Sequence, residues 1–240
     1  MDECSLCGSS SRSDIGQKRE SFYVQCSSCG LIRISPHPTD EQLVDYYQNY
    51  LDRGRAANPK KKRLRALIRA WFLRRLAPGN KFLEIGCNVG SMVNAARRVG
   101  CEGVGIDVSP AAIAIAQERW PECRFYNEPI EIFAERGEKF DIVFCTEVIE
   151  HIKDLHAFMS AFSKVLNPNA IVFFTTPDAG HFSLRNKDLL TWRELRPTQH
   201  LAIFNRSNFE QLFRKYDFSS FYFVPMHRAN LRVFTRKKSK

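Results

Sequence analysis

Long apolar runs are missing from this sequence of 240 residues. No stretch approaches the roughly 18 to 20 consecutive apolar residues that a bilayer-spanning helix needs. The first four residues include two acids, whereas a secretory leader begins with basic residues followed by an apolar run. Internal repeats and low-complexity tracts are also missing, and 44% hydrophobic with 26% charged residues is ordinary globular usage. We therefore expect a soluble, cytoplasmic protein.

Acidic residues are missing from two stretches that carry most of the formal charge of +10. Residues 60–75 contain eight Lys or Arg, and residues 228–240 contain six. The first stretch predicts a basic amphipathic helix over residues 60–76. Its apolar face packs on the domain in the plain interpretation, and the alternatives are contact with an anionic membrane surface or with phosphates. The apolar residues of that face are Leu64, Leu67, Ile68, Trp71 and Phe72.

The cysteine spacing near the N-terminus indicates a metal site. Four of the eight cysteines form two C-x-x-C pairs. Two residues between cysteines let both thiolates of a tight turn point at one ion, and two such turns complete a closed tetrahedral site. The spacing therefore predicts a zinc ribbon over residues 1–36 in which the metal supplies folding energy. The predicted Zn ligands are Cys4, Cys7, Cys26 and Cys29.

Beyond residue 80, short apolar runs alternate with helical patterns. This alternation predicts successive βα units and hence an α/β, doubly wound, mostly parallel sheet closed by a C-terminal antiparallel hairpin. We divide the chain into the zinc ribbon at 1–36, a helical linker at 37–79 and a cofactor-binding domain at 80–240. The predicted strands are 81–85, 103–107, 140–146, 170–176, 221–224 and 231–235, and the predicted helices are 91–99, 110–120, 155–166 and 207–216.

The ends of the first two predicted strands carry residues suited to a nucleoside cofactor, because ligands of open parallel sheets lie beyond the carboxyl ends of the strands. Gly86 and Gly90 let the backbone approach a ligand closely. Asp107, about twenty residues on, can accept both ribose hydroxyls. The G-x-G-x-x-G motif of dinucleotide enzymes is missing, and Glu84 would repel a pyrophosphate but attract an α-amino group.

Residues 80–176 resemble the cofactor core of the class I S-adenosylmethionine-dependent methyltransferases. The double C-x-x-C and residues 200–204 also resemble a zinc-ribbon subgroup associated with polysaccharide, lipid or natural-product pathways. The resemblance implies a Rossmann-like seven-stranded sheet and S-adenosylmethionine as cofactor. The matching motifs are residues 82–90 for the first strand, 105–109 for the second, and 140–143 with 147–151 for the fourth.

The resemblance also implies a set of cofactor contacts at the strand ends. The methionine moiety lies against the first motif, the ribose and adenine against the second strand and the loop that follows it, and the sulfonium at the tip of the fourth strand. The implied residues are Glu84, Gly86, Cys87 and Gly90 for methionine, Asp107 for ribose, Val108, Asn127 and Glu128 for adenine, and Cys145 and Thr146 for the sulfonium.

The sulfonium is an activated leaving group, so the protein must align an acceptor atom and, for a hydroxyl, remove its proton. His151 and, by family analogy, His200 are the candidate bases. Glu147, Glu150 and His151 fall at i, i+3 and i+4, so they could instead hold Mg²⁺ or another divalent ion, with His200 as a fourth ligand. That pattern resembles ubiquinone-pathway O-methyltransferases and small-RNA ribose methyltransferases. Helix capping is the plain alternative.

The segment 179–199 is the expected acceptor region, because it mixes aromatic and cationic side chains, although a solvated insertion is equally plain. We expect O-methylation of a small-molecule, glycan or lipid-linked acceptor. The alternatives are an RNA ribose 2′-O-methyltransferase, favoured by the basic stretches but not by any aromatic-basic interleaving, and a non-catalytic binding module. The side chains concerned are His181, Arg185, Lys187, Trp192, Arg193 and Arg196.

Overall fold

The structure is a computed structural model that describes residues 3–39, 41–43 and 60–238. Eleven strands of this part form a four-stranded and a seven-stranded sheet. Residues 40 and 44–59 of the predicted linker lie outside the described residues. The strands are β1 (Arg12–Lys18), β2 (Ser21–Cys26), β3 (Ile32–Ile34), β4 (Lys81–Ile85), β5 (Glu102–Ile106), β6 (Arg124–Tyr126), β7 (Phe140–Thr146), β8 (Leu166–Pro177), β9 (Ala202–Ile203), β10 (Phe218–Phe223) and β11 (Asn230–Lys237).

The larger sheet confirms the predicted fold class. Its strand order is β10-β11-β8-β7-β4-β5-β6, and β4 to β8 pair in parallel. β11 runs antiparallel to β8 and β10, which is the predicted C-terminal hairpin. The chain moves from β4 to β6 on one side and then crosses to β7 on the other. The carboxyl ends of β4 and β7 are therefore the point at which a ligand is expected.

Helices cover the sheet, and local capping explains where several of them begin. Pro110 occupies the first turn of its helix behind Ser109, whose Oγ accepts the Ala112 N–H. Asp154 caps the next long helix through the N–H groups of His156 and Ala157. The helices are α1 (Lys60–Leu76), α2 (Ser91–Arg98), α3 (Pro110–Arg119), α4 (Ile130–Phe133), α5 (Leu155–Lys164) and α6 (Arg206–Arg214), with short 3-10 turns at Ala134–Arg136, Ile149–His151, Phe182–Leu184 and Leu189–Thr191.

The boundary between α5 and β8 differs from the prediction. The helix predicted to reach residue 166 ends at Lys164, and the strand predicted from residue 170 begins at Leu166. Leu166 already pairs with Phe140 of β7, and the register then shifts before Ile171. The turn expected before the strand is therefore an irregularity within it, with Asn169 in the left-handed conformation at φ 60°.

The packed face of α1 is not the one that the sequence predicted. Ala70 and Leu73 are buried and, with Leu67, pack against the sheet through a cluster that includes Phe82. Small alanines on this side let the helix lie close to its neighbours. Of the predicted apolar face only Leu67 packs in this way, and the remaining members are exposed: Leu64, Ile68, Trp71 and Phe72.

The small sheet joins the two ends of the chain, because its strand order is β1-β2-β3-β9. Leu6 and Leu31, beside the cysteines, belong to the same buried cluster as Phe158 of α5. The division at residues 36 and 79 stays a prediction, and residues 202–203 from beyond it complete the small sheet. Among the helices within the described ranges, none is long and apolar enough to cross a membrane.

Candidate functional site

A cleft of about 560 Å³ opens at the carboxyl ends of β4, β5 and β7. Many of the predicted site residues line it, and others do not. Five of the predicted residues, all of them in the described part of the chain, do not line the cleft: Gly90, Asn127, Cys145, Glu150 and His200. The predicted residues that line it are Glu84, Gly86, Cys87, Asp107, Val108, Glu128, Thr146, Glu147 and His151.

The loop after β4 is shaped by two glycines in the left-handed conformation. Gly86 has a φ of 73°, and a Cβ there would collide with the Cγ2 atom of Val148. Gly90, at φ 74°, precedes α2, and a Cβ there would lie 2.5 Å from the Phe125 ring. A side chain at either position is therefore disfavoured both by the backbone conformation and by the lack of space for a Cβ atom. The loop can lie close to the base of the cleft.

Glu84 is a buried carboxyl group at the floor of the cleft. Its Oε2 accepts the backbone N–H of Val93 at 3.2 Å. Burial raises the pKa of Glu84 well above its ordinary range, and the negative charge of Asp107 adds to this effect. A cationic group of a ligand would restore the charged form and be attracted by it.

Asp107 is held by the backbone immediately after β5. Its Oδ2 accepts the N–H of Asn88 at 2.8 Å, and its Oδ1 accepts the N–H of Ser109 at 2.9 Å. Burial raises the pKa of Asp107, and these hydrogen bonds oppose the shift. Sequence reasoning missed Asn88, which is left-handed at φ 48°. Its signal was its residue type, because Asn adopts this conformation more readily than most residues.

Of the residues predicted to contact adenine, Val108 and Glu128 line the cleft, whereas Asn127 does not. Val108 is exposed at the cleft, and the Glu128 carboxylate there accepts two hydrogen bonds from Arg136, at 2.7 and 3.2 Å. Asn127 instead donates its side-chain amide to the backbone carbonyl of Asp107 at 2.9 Å. Asn127 therefore positions Asp107 through the backbone carbonyl of that residue.

The tip of β7 does not bring Glu147 to the predicted metal cluster. Thr146 lines the cleft, whereas Cys145 is fully buried between β4 and β8. Glu147 is left-handed at φ 56°, and its Oε1 accepts from Thr175 at 2.8 Å and from Asn230 at 2.9 Å. The i, i+3, i+4 argument fails because the helical turn begins only at residue 149.

Glu150, His151 and His200 do come together, with one ligand-type atom of each within 4.8 Å of the others. Glu150 is fully buried, its Oε2 accepts from Thr176 at 2.9 Å, and its Oε1 has no hydrogen-bond partner. Burial raises the pKa of Glu150 well above its ordinary range. His151 Nδ1 lies 2.8 Å from the carbonyl of Gln199, and His200 Nδ1 lies 2.7 Å from that of Glu194.

These contacts identify the donor nitrogen of both imidazole rings. A carbonyl oxygen only accepts, so the Nδ1–H donates in each histidine, and Nε2 is the nitrogen that carries the lone pair when the ring is neutral. The two rings meet edge to face with their centroids 4.9 Å apart. The cluster combines one carboxylate with two imidazoles, and His151 is the member that reaches the cleft.

Comparison with known proteins identifies the family. A family model described as a methyltransferase domain matches residues 53–220. The chain belongs to this family. Together with the seven-stranded sheet, the match confirms the resemblance to the class I S-adenosylmethionine-dependent methyltransferases.

Curated relatives of this methyltransferase share its central segment. The ubiquinone biosynthesis O-methyltransferase of Azorhizobium caulinodans is 34% identical over 102 residues, covering 41% of this chain and 40% of the relative. That of Pasteurella multocida is 31% identical over 112 residues, covering 41% and 46%. The chain thus spans less than half the length of these curated relatives.

Solved structures share the fold. The magnesium protoporphyrin IX methyltransferase of Synechocystis PCC 6803 with bound SAH has a TM-score of 0.61 and 16% identity, covering 83% of this chain and 100% of that one. The Haemonchus contortus phosphoethanolamine N-methyltransferase 2 in complex with S-adenosyl-L-methionine has a TM-score of 0.59 and 18% identity, covering 81% and 60%.

The segment 179–199 of the methyltransferase does not line the cleft, and its role in acceptor binding stays a prediction. Arg193 and Arg196 both pair with Glu194, at 2.8 and 2.7 Å. His181 is buried, and its Nε2 lies 3.0 Å from the carbonyl oxygen of Met226. Because Glu194 also accepts from His200, this segment positions that histidine.

The four N-terminal cysteines of the methyltransferase lie together, as the spacing predicted. The Sγ atoms of Cys4 and Cys29 are 3.6 Å apart, as are those of Cys7 and Cys26, and all four thiols are free. A tetrahedral zinc site with Zn–S bonds of about 2.3 Å has S···S edges of about 3.8 Å. The donor set and its spacing therefore fit a zinc ion.

Proposed function

We propose that the chain transfers the methyl group of S-adenosylmethionine to an oxygen atom of a small-molecule acceptor. The observation that carries this proposal is the pair of carboxyl groups, buried Glu84 and half-buried Asp107, on one cleft at the strand ends. The methyltransferase family and the O-methyltransferase names of the curated relatives support it. Glycans, lipid-linked molecules and RNA are the alternative acceptors, and the methyl-transfer assay described below includes them.

The cleft residues divide the cofactor among them in this proposal. The Glu84 carboxylate takes the α-amino group, while the remaining lone pairs of Asp107 accept the ribose hydroxyls. Gly86 and Gly90 leave room beside the methionine moiety, with Cys87 between them. The adenine lies between Val108 and Glu128, with Asn127 holding Asp107, and Thr146 borders the sulfonium in front of the buried Cys145.

In the transfer step the acceptor oxygen forms a bond to the methyl carbon as the bond from that carbon to sulfur breaks. Sulfur keeps the electron pair and becomes a neutral thioether. The hydroxyl proton passes to His151 Nε2, which carries the lone pair because Nδ1–H donates to Gln199. His200 packs on the edge of His151 and positions it.

A divalent ion at Glu150, His151 and His200 is the second candidate arrangement. The orphaned, buried Oε1 of Glu150 favours it, because such an atom is costly without a partner. The two Nδ1–H hydrogen bonds to carbonyls are those that orient histidine ligands in metal sites. A bound ion such as Mg²⁺ would lower the pKa of an acceptor hydroxyl.

Calorimetric titration tests the cofactor assignment. S-adenosylmethionine and S-adenosylhomocysteine are titrated into the wild-type chain, into Asp107→Ala and into Glu118→Ala, whose exposed carboxylate lies on α3. We expect binding by the wild type and by Glu118→Ala, and at least a hundredfold loss in Asp107→Ala, on the order of 3 kcal/mol for hydrogen bonds to a charged group. No binding by the wild type would refute the function.

A methyl-transfer assay tests the chemistry. Phenolic, glycan, lipid-linked and RNA acceptors are offered with labelled cofactor to the wild type, to His151→Ala and to His181→Ala, a buried histidine outside the cleft wall. The proposed base role predicts that His151→Ala loses turnover but keeps cofactor affinity. For the ion, Mg²⁺ titration of the wild type against Glu150→Gln separates the two arrangements, with the zinc content monitored throughout.

We also propose that Cys4, Cys7, Cys26 and Cys29 hold a structural zinc ion, which would place the chain in the zinc-ribbon subgroup. The supporting observation is the pairing of free thiols at 3.6 Å. The ribbon rests on α5 through His156, whose Nε2 lies 3.1 Å from the carbonyl oxygen of Leu6. Its proposed role is therefore to support the fold.

A further inference from the structure

The helix α1 carries an apolar stripe that points away from the protein. Leu64, Ile68 and Trp71 are four and three residues apart on its outer face and are 60%, 58% and 56% exposed. Phe72 and Leu76 extend the stripe towards the end of the helix. Bulky apolar side chains grouped on one exposed face mark an interaction surface.

The stripe continues onto the C-terminal hairpin. The ring of Phe72 meets that of Phe234 on β11 edge to face, with centroids 5.9 Å apart. Tyr222 of the edge strand β10 is 64% exposed and lies 6.5 Å from the same ring. Six of the ten exposed large apolar side chains in the described part of the chain thus form one surface, the apolar patch: Leu64, Ile68, Trp71, Phe72, Leu76 and Tyr222.

Arginines surround the apolar patch without acidic partners. None of them forms an ion pair with a described residue, and the chain has no acid between residues 60 and 77. Arg69 lies near Arg232 and Arg65, and its pKa is lowered by partial desolvation of its guanidinium group and by those two like charges. The Nε of Arg232 is buried without a hydrogen-bond partner. The rim consists of Arg65, Arg69, Arg75 and Arg232.

Close positive charges repel each other, so the rim is stabilised by any anion that approaches it. The order along the helix brings both chemistries to one surface, since the guanidinium of Arg75 lies 5.7 Å from the ring of Trp71. Aliphatic side chains such as Leu64 and Ile68 would contribute nothing to binding a phosphate backbone. A protein partner would have to combine an apolar surface with acids alone around it.

We propose that the apolar patch and its arginine rim dock the chain on an anionic lipid surface. In this arrangement α1 lies in the plane of the headgroups, with Ile68 and Trp71 among the first acyl carbons and the guanidinium groups on lipid phosphates. Trp and Tyr side chains favour this interface because one end of each is apolar and the other polar. The proposal is independent of the acceptor and of the proposed metal sites.

Vesicle co-sedimentation of the full, zinc-loaded chain tests the docking surface. Phosphatidylcholine vesicles are compared with vesicles that also contain phosphatidylglycerol. We expect binding only to the anionic vesicles, weaker at high salt, and weaker by about fivefold for each rim arginine removed, as in Arg65→Gln. Ile68→Glu should abolish binding, whereas Ile132→Glu, an equally exposed residue of α4 outside the patch, should leave it unchanged.

Tryptophan fluorescence supplies a readout that a folding defect would not imitate. Trp71 is the exposed tryptophan of the three, so its emission should shift to shorter wavelength when anionic vesicles are added. Trp71→Phe should keep vesicle binding and lose that shift. The proposal is overturned if the wild type does not bind anionic vesicles at low salt, or if Ile68→Glu binds them as well as the wild type does. It is also overturned if the apolar patch instead joins two copies of the chain or binds RNA.

Discussion

Gly86 and Gly137 share a φ of 73° but differ in their surroundings. A methyl group on Gly86 would meet Val148 Cγ2, whereas nothing lies within 4 Å of one on Gly137. Conformational strain alone costs about 1 to 2 kcal/mol at such an angle, and overpacking adds typically about 1 to 3 kcal/mol. The same substitution therefore separates the effect of backbone from that of space.

We predict that Gly137→Ala lowers the free energy of unfolding by about 1 kcal/mol and that Gly86→Ala lowers it by about 2 kcal/mol more. Urea titration of the two variants measures the difference. Val148→Ala in the Gly86→Ala background should recover most of the extra loss, because it removes the colliding methyl group. Equal losses in both glycine variants would show that Val148 moves aside without cost.

Glu84 should make the cofactor-free protein less stable as pH rises. Burial raises the folded-state pKa of this carboxyl group above its unfolded value, so its contribution is fully present below the unfolded pKa. That contribution is lost as pH rises through the folded pKa. Glu84→Gln stays uncharged, so urea titrations over a pH series should show a shallower decline for the variant. Parallel pH profiles would contradict the prediction.

At the scale of elements, the cysteine turns should act as one metal-dependent unit. We predict one zinc ion per chain by elemental analysis of the wild type and of Cys123→Ser, which alters a cysteine outside the cluster. Cys4→Ser should lose the ion and more than about 4 kcal/mol of unfolding free energy, the range expected for loss of a structural metal. Full zinc content in Cys4→Ser would overturn the proposed ligand set.

The helix α1 shows what periodicity in the sequence can and cannot predict. Bulky apolar residues and alanines form two stripes on this helix, and either could have faced the sheet. The bulky stripe was expected to pack, but the side with Ala70 and Leu73 is buried instead. Helical periodicity indicated the helix, while the choice of face depends on the shape of the surface beneath it, which a local pattern does not contain.

The residues of the candidate site likewise divide into those that a local sequence pattern predicts and those that depend on tertiary contacts. Strand-end reasoning placed Glu84 and Asp107 on one cleft, because both follow from where short apolar runs end. The approach of His200 to Glu150 depends on tertiary contacts over fifty residues and needed the resemblance to be noticed. Glu147 was misplaced because the spacing argument assumes a helix from residue 147, whereas the helical turn begins two residues later, at Ile149.

For the whole molecule, we predict that the two sheets unfold as one cooperative unit. The small sheet takes β9 from the C-terminal half, and Leu6 belongs to the core that includes α5. Zinc release, followed with a coloured chelator, should therefore share its urea midpoint with the loss of near-ultraviolet circular dichroism. Zinc release at clearly lower urea would mean that the ribbon opens by itself.

His200 stands two residues before β9, whose pairing with β3 is fixed residue by residue, from Ile32 with Ile203 to Arg33 with Ala202. The strand register therefore fixes the position of this histidine relative to the four-stranded sheet. Insertions and deletions in the gene should be tolerated unevenly as a result. A single codon gained between positions 200 and 202 would displace the imidazole of His200 from its partners. Longer insertions or deletions around the exposed residues near 186 would leave the pairing of β9 with β3 unchanged.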